Sequence, residues 1–323
     1  MALLCRAGVL MALAVVACVF GASTAAQLPD VLFTVFPSPV LTDRHQDRIN
    51  AILDTWGKGQ RVVVVSSDAD EQPNQGAPVW HIPDVTGKIG EEGMRAYLRK
   101  AMEESWDWLY RVDDCALVLL PNLLKLLEQH DHTRPVLVGS KIALPGTDKV
   151  YFTGGPGWAI SRPAVQLFLD NWCPPSNAWF RDEVFDIQMH TCMVKHLGVQ
   201  AESPRDEVDG VGAKFNTYSP VRSFKGPYDH WFENYKKAAK ETIVNGRSCC
   251  ARYPVAFHYV EAGEIRAFHR IFTEPHKWKA ATAREKLDTL GSDVSPYSTH
   301  VTSEDDPVLD YLSEIRVFGI YSR

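Results

Sequence analysis

The chain has 323 residues, 45% of them hydrophobic and 23% charged, enough to bury a substantial core in one large α/β domain or two small ones. An aromatic content of 11% with only 21 Gly and 20 Pro excludes a disordered or collagen-like chain. Thirty-four basic against 40 acidic residues leave a net charge of −6, which excludes a nucleic-acid partner held by bulk charge and points to a small molecule or another protein.

Residues 1–26 stand apart from the rest. Arg6 is their only charge, an apolar run extends from Ala7 to Phe20, and the residues from Gly21 to Ala26 are small. Two readings fit: a signal peptide cleaved near Ala26, or a signal anchor, because this stretch approaches the roughly 20 residues that cross a bilayer. With one arginine before the run and polar residues after it, the anchor leaves its N-terminus cytosolic. Both readings put Gln27 onward in the lumen of the secretory pathway, where disulfides persist. Five cysteines lie there: Cys115, Cys173, Cys192, Cys249 and Cys250. An odd number leaves at least one free or paired between chains. Cys173 with Cys192 is the favoured pair. No spacing resembles a zinc site, since Cys249 and Cys250 are adjacent and have no second pair.

Val31 to Phe36 reads as a strand. Ile49, Ile52, Leu53 and Trp56 then recur at helical spacing until Gly57 and Gly59 stop the pattern. Val62 to Val65 reads as a strand buried on both faces, and Val79 to Ile82 as a shorter one. Met94, Tyr97, Leu98, Ala101 and Met102 form one helical stripe. Trp108 to Val112 is a strand running straight into Asp113 and Asp114, followed by a leucine-rich helix from Leu119 to Leu127 and a strand at Val136 to Val138. This alternation predicts an α/β fold, a mostly parallel sheet with helices on both faces. Ligands of such sheets bind beyond the carboxyl ends of the strands, where Asp113 and Asp114 lie.

The second half is less regular. Val150 to Thr153 leads into a glycine cluster, Gly154, Gly155 and Gly157, and then Trp158, whose two readings are stacking on a sugar face and, the favoured one, filling core. Ser161 is positioned to cap a helix with Pro163 in its first turn and Val165, Leu167, Phe168 and Trp172 on its apolar side. Pro254 to Val260 is the last strand expected. From about Lys279 the chain turns polar and reads as a peripheral tail with a short helix at Val308 to Ile315. There is no internal repeat.

Two adjacent aspartates are by themselves an ordinary surface turn. After an apolar strand, before a helix and 40 residues ahead of a glycine cluster, they suit a hard cation such as Mn²⁺ or Mg²⁺ and the diphosphate that such an ion neutralises. Arg111-Val112-Asp113-Asp114-Cys115 resembles the acidic strand-end motif of fringe-like β1,3-glycosyltransferases. The segment from Tyr151 to Ser161 is similar to their GGAGY-x-S stretch, and Phe185-Asp186 with Cys192-Met193 to their ED-x-x-x-G-x-C stretch. Ser203-Pro204-Arg205-Asp206 matches a similar Arg-Asp pair. Gly246 to Cys250, then Val255-Ala256-Phe257-His258-Tyr259-Val260, resembles the double cysteine and VSFHYV of the core 1 β1,3-galactosyltransferase branch. The likeness runs in order from about Val31 to Val260.

The resemblance implies a GT-A-like, Rossmann-like nucleotide-sugar fold in a lumenal domain over residues 27–278, followed by the tail 279–323. It implies a UDP-sugar donor, Mn²⁺ or another divalent cation, and inverting transfer of a hexose, galactose above all, to the N-acetylgalactosamine of a glycoprotein O-glycan. Asp113 would contact the donor nucleoside or the metal, with Asp114 beside it in the donor site, and His258 would be a second metal ligand. Asp186 would be the catalytic base, with Asp182 and Glu183 as rivals, and Gly154, Gly155 and Gly157 would let the backbone pass close to donor or acceptor. The expected location is the Golgi, as a type II membrane protein, or a secreted or endoplasmic-reticulum protein after cleavage; a homodimer is allowed. Two positions depart from the family pattern. Cys115 replaces the third acid, a soft thiol that an oxidising lumen can lock in a disulfide, and Phe185 replaces the acid before the base. Both keep open a relative that has lost catalysis and serves as a chaperone or a sugar-binding protein.

Overall fold

The computed structural model describes residues 28–38, 44–68, 75–82, 91–147, 149–171, 185–291 and 300–319. The first half follows the predicted alternation: β1 (Val31–Phe36), α1 (His45–Asp54), β2 (Arg61–Ser66), β3 (Val79–His81), α2 (Glu91–Met102) and β4 (Trp108–Asp113). Then come β5 (Leu117–Val118), α3 (Leu120–Leu127), β6 (Val136–Gly139), β7 (Lys141–Ala143), β8 (Val150–Phe152), β9 (Trp158–Ser161), α4 (Arg162–Asp170) and α5 (Phe185–Thr191). Last are β10 (Gln200–Glu202), β11 (Phe215–Asn216), α6 (Pro220–Lys225), α7 (His230–Ala238), β12 (Ala256–Phe257), α8 (Ala262–Thr273), α9 (Pro275–Ala280), α10 (Ala283–Leu290) and α11 (Val308–Tyr311).

Seven strands form the central sheet in the order β10-β6-β9-β4-β1-β2-β3, all parallel to their neighbours except β9. The period of two along each strand sorts its residues to opposite faces. Phe33, Val35, Val62, Val64, Tyr110 and Val112 join a core with Ile52 of α1, Leu123 of α3 and Phe268 of α8. Leu32, Phe36, Val63, Val65 and Leu109 join the other core, with Tyr97 of α2, Val165 of α4 and Met189 of α5. Helices cover both faces, as expected for strands that are apolar along their whole length. A smaller sheet, β11-β12-β5, stands beyond the carboxyl end of β4.

Four expectations are corrected. Trp158 to Ser161, where the sequence suggested no strand, is a buried antiparallel strand between β6 and β4. Ser161 makes no side-chain cap for α4; its hydroxyl donates to the Arg134 carbonyl (2.6 Å) and accepts from the Val136 amide (2.9 Å), stitching β9 to the start of β6. The last strand is confined to Ala256–Phe257, the two residues in ladder register with β11 and β5. The segment expected as a peripheral tail returns to the core: Val308, Leu309, Tyr311, Leu312, Ile315 and Val317 are buried there. Trp278 donates its indole hydrogen to the Leu309 carbonyl, and the Asn122 amide donates to Arg316 and accepts from the Phe318 backbone.

The cysteines sort in a way that spacing alone left open. Cys249 and Cys250 are bonded to each other as neighbours in sequence. Cys192 is disulfide-bonded, while Cys173, its expected partner, lies outside the described residues, as does Trp172. Cys115 is free and buried.

Candidate functional site

Asp113 is the last residue of β4, at the carboxyl edge of the central sheet. Three residues carry the chain from there into β5, which pairs antiparallel with β12 through Leu117 with Phe257 and Val118 with Ala256. That register continues as the Val260 amide bonds the Cys115 carbonyl (3.0 Å). It therefore brings His258, 143 residues later, against the turn after β4. Nε2 of His258 lies 3.3 Å from Asp113 Oδ2 and 3.1 Å from Cys115 Sγ. One ligand atom from each of Asp113, Cys115 and His258 lies within 4.8 Å of the others, and all three residues are buried.

The charges are strongly tuned. Burial alone would raise the Asp113 pKa, but the Arg111 guanidinium, bonded to it at 2.6 Å, and the His258 imidazole outweigh burial and hold the carboxyl below its usual range. Burial, reinforced by the negative charges of Asp114 and Asp113, pushes the Cys115 thiol well above its usual pKa. The Cys115 thiol, which an oxidising lumen could have locked in a disulfide, is free within this cluster.

Asp114 has different company. Its carboxylate accepts from the Ser38 amide (3.1 Å) and from Arg48 Nη2 (3.1 Å), and bonds the His45 imidazole. Arg48 reaches Glu261 with its other terminal nitrogen (3.3 Å). Asp114 thus ties the end of β4 to α1 and to the start of α8, which offers a ligand little of its carboxylate. Sequence reasoning passed over Arg48, although a charge beside Ile49 and one turn before Ile52 interrupts the apolar stripe of α1.

The glycine cluster serves its neighbours within the protein. A Cβ on Gly155 would stand 2.4 Å from His258 Nδ1 and Cε1, and one on Gly157, at φ +92°, 2.6 Å from the Tyr110 ring. Gly154 accepts from the Gly157 amide and completes the turn. These close approaches are to side chains of the protein itself. Trp158 is fully buried in core, as expected. Gly155→Ala should force the His258 ring off Asp113 and cost about 1–3 kcal/mol through overpacking. Chemical denaturation should show that loss, and His258→Ala in the same chain should relieve most of it.

Asp186 is the second residue of α5; Asp182 and Glu183 lie outside the described residues. One turn after Asp186, His190 occupies the place of the family's glycine. Its ring is buried edge-on against Phe152 and Trp158, and Nδ1 accepts from the Phe152 amide (3.0 Å). Burial, helped by the nearby Arg111 charge, depresses its pKa from 6.5 to about 3. Between those two values the unfolded chain takes a proton at His190 that the folded chain refuses, so stability falls as the pH drops below 6.5. At about 1.4 kcal/mol per pH unit, the loss reaches about 2 kcal/mol by pH 5. Urea unfolding at pH 7 and pH 5 checks this: His190→Asn should remove that part of the acid slope.

The Arg205-Asp206 pair turns out to hold backbone. Arg205 donates to the Val211 and Thr242 carbonyls and bonds Glu241. Asp206 accepts from the Val208, Asp209 and Arg252 amides. As a cation site, Asp113 and His258 supply an oxygen and a nitrogen compatible with Mn²⁺, but the third corner is sulfur. That is a poor match for a hard ion.

The sequence profile described as Fringe-like matches residues 27–202. Glycoprotein-N-acetylgalactosamine 3-beta-galactosyltransferase 1 of Xenopus laevis is 25% identical over 180 residues, which cover 52% of this chain and 46% of that protein. Beta-1,3-glucosyltransferase of Mus musculus is 31% identical over 135 residues, 40% of this chain and 27% of that one. The chain therefore spans less than half the length of these curated relatives. A crystal structure of galactosyltransferase LgtC with donor and acceptor sugar analogues superposes on 84% of this chain and 98% of its own, at 14% identity and a TM-score of 0.38.

Proposed function

We propose a function from one premise: the chain belongs to the Fringe-like family. It moves a hexose from a UDP-sugar to a glycoprotein O-glycan, as an inverting β1,3-hexosyltransferase. Galactose is the favoured sugar and N-acetylgalactosamine the favoured acceptor. The printed names of the two relatives share β1,3 transfer and differ in the sugar, galactose in one and glucose in the other. The observation that carries the reading is Asp113 at the carboxyl end of β4 with His258 brought up to it from the second sheet.

In this reading the donor lies along the carboxyl edge of the sheet, beside Asp113 and the turn at Gly154, Gly155 and Gly157. Arg111 keeps Asp113 ionised. The acceptor hydroxyl oxygen attacks the anomeric carbon from the face opposite UDP. The bond from that carbon to the diphosphate breaks, and its electron pair leaves with UDP. The hydroxyl proton passes to the Asp186 carboxylate. The secretory lumen, with the Golgi first, is the proposed compartment, and the bridges at Cys192, Cys249 and Cys250 suit its redox state. No helix among the described residues is long and apolar enough to cross a membrane; an N-terminal anchor would lie in residues 1–26, outside them.

Cys115 in the place of an acid favours a second reading, a non-catalytic relative that acts as a chaperone or sugar-binding protein. UDP-galactose turnover with an N-acetylgalactosamine-bearing peptide separates the two. The transferase should release UDP in step with product, and UDP should raise its thermal midpoint. A chain with neither response, but which rescues a partner's folding, belongs to the second reading.

A further inference from the structure

We propose that Asp113, Cys115 and His258 bind a thiophilic divalent cation of the Zn²⁺ class, in preference to the hard Mn²⁺ or Mg²⁺ that an all-acid motif would select. Three donors of three kinds converge here: a carboxylate oxygen from the end of β4, a thiol sulfur from the turn after it, and an imidazole nitrogen from the end of β12. Ligands 2.0–2.3 Å from a tetrahedral zinc ion stand roughly 3.3–3.7 Å from one another. His258 Nε2 lies 3.3 Å from the Asp113 oxygen and 3.1 Å from the Cys115 sulfur, so small shifts would admit the ion. Gly155, packed under the imidazole, keeps that ring in place.

Donor chemistry decides which ion. Thiolate and imidazole favour zinc, whereas carboxylate, carbonyl and water suit magnesium and manganese. Cys115 is available for this role because it is the free cysteine among the described residues. Three protein ligands also leave a fourth position open, the pattern of zinc sites that admit a water or a substrate oxygen. Linear spacing hid the site, since its ligands come from two sheets 143 residues apart. The inference does not depend on the transferase reading. A chain without turnover would still bind the ion, and an active transferase preferring Mn²⁺ would overturn this inference alone.

The test uses the purified, metal-stripped full chain, titrated calorimetrically with Zn²⁺, Co²⁺ and Mn²⁺, with absorption spectra of the Co²⁺ form. Expected are one tight Zn²⁺ site, weak Mn²⁺ binding, and a near-ultraviolet thiolate-to-cobalt charge-transfer band. Cys115→Ser should abolish the band and lower Zn²⁺ affinity by at least the roughly 10–100-fold that loss of even an outer-sphere partner costs a metal site. Cys115→Asp should also lose the band and bring the Zn²⁺ and Mn²⁺ affinities together by a similar factor. Mn²⁺ binding as tightly as Zn²⁺ in the native chain overturns the proposal whatever the variants do. So does a native chain without the band, or a band that persists in either folded variant.

Discussion

Arg48→Met is expected to destabilise the folded chain by about 3–5 kcal/mol, the usual cost of removing one partner from a buried ionic group. The Arg48 side chain has no solvent exposure and bridges two carboxylates, Asp114 at 3.1 Å and Glu261 at 3.3 Å. Asp114 is itself fully buried, and Glu261 caps α8 in a reciprocal pairing with Glu264. Methionine fills a similar length and suits a helix, so lost charge should dominate lost packing. Two buried carboxylates would then face each other with only His45 and the Ser38 amide to offset Asp114. Adding Asp114→Asn and Glu261→Gln to Arg48→Met should recover much of the loss, because these sites form one network and their effects do not add. Urea unfolding midpoints of the native chain, Arg48→Met and the triple variant measure all of this. A deficit below 1 kcal/mol would make the triad incidental.

The alternation of strand and helix was legible because β1, β2 and β4 are buried on both faces and their apolar runs are continuous. β9 was not, since four residues after a glycine turn carry no period of their own and become a strand only by fitting between β6 and β4. β5, β11 and β12 are two residues each and owe their existence to pairing with one another. Local pattern cannot show that. The same limit applies to the site. Family resemblance singled out Asp113 and His258, and the structure brings them together. Yet resemblance made Cys115 a mere missing acid, when the β5–β12 register turns it toward the imidazole as a third donor. It also set Asp114 beside Asp113, and adjacent residues leaving a strand point to opposite sides. Asp114 accordingly went to Arg48 and His45.

Asp186→Asn should lower kcat by about 10²–10⁴, the span usually contributed by a positioned general base, while leaving UDP affinity unchanged. Asparagine keeps the shape and the helix preference of aspartate and removes only the carboxylate proposed as the base. An effect confined to kcat would mean that the lost interaction belongs to the transition state, since a merely structural role would weaken donor binding or stability as well. The backbone position supports the assignment. α5 begins at Phe185, and one turn later it is anchored by His190, whose ring is buried against Phe152 and Trp158 at the glycine turn. The last turn of α5, one turn after Asp186, is thereby tied to the same segment that packs under His258. The acid limb of the native pH–rate profile should vanish in the variant, because no carboxylate remains there to be protonated. A variant with full kcat would move the base to Asp182 or Glu183, and Asp182→Asn and Glu183→Gln would then decide between them.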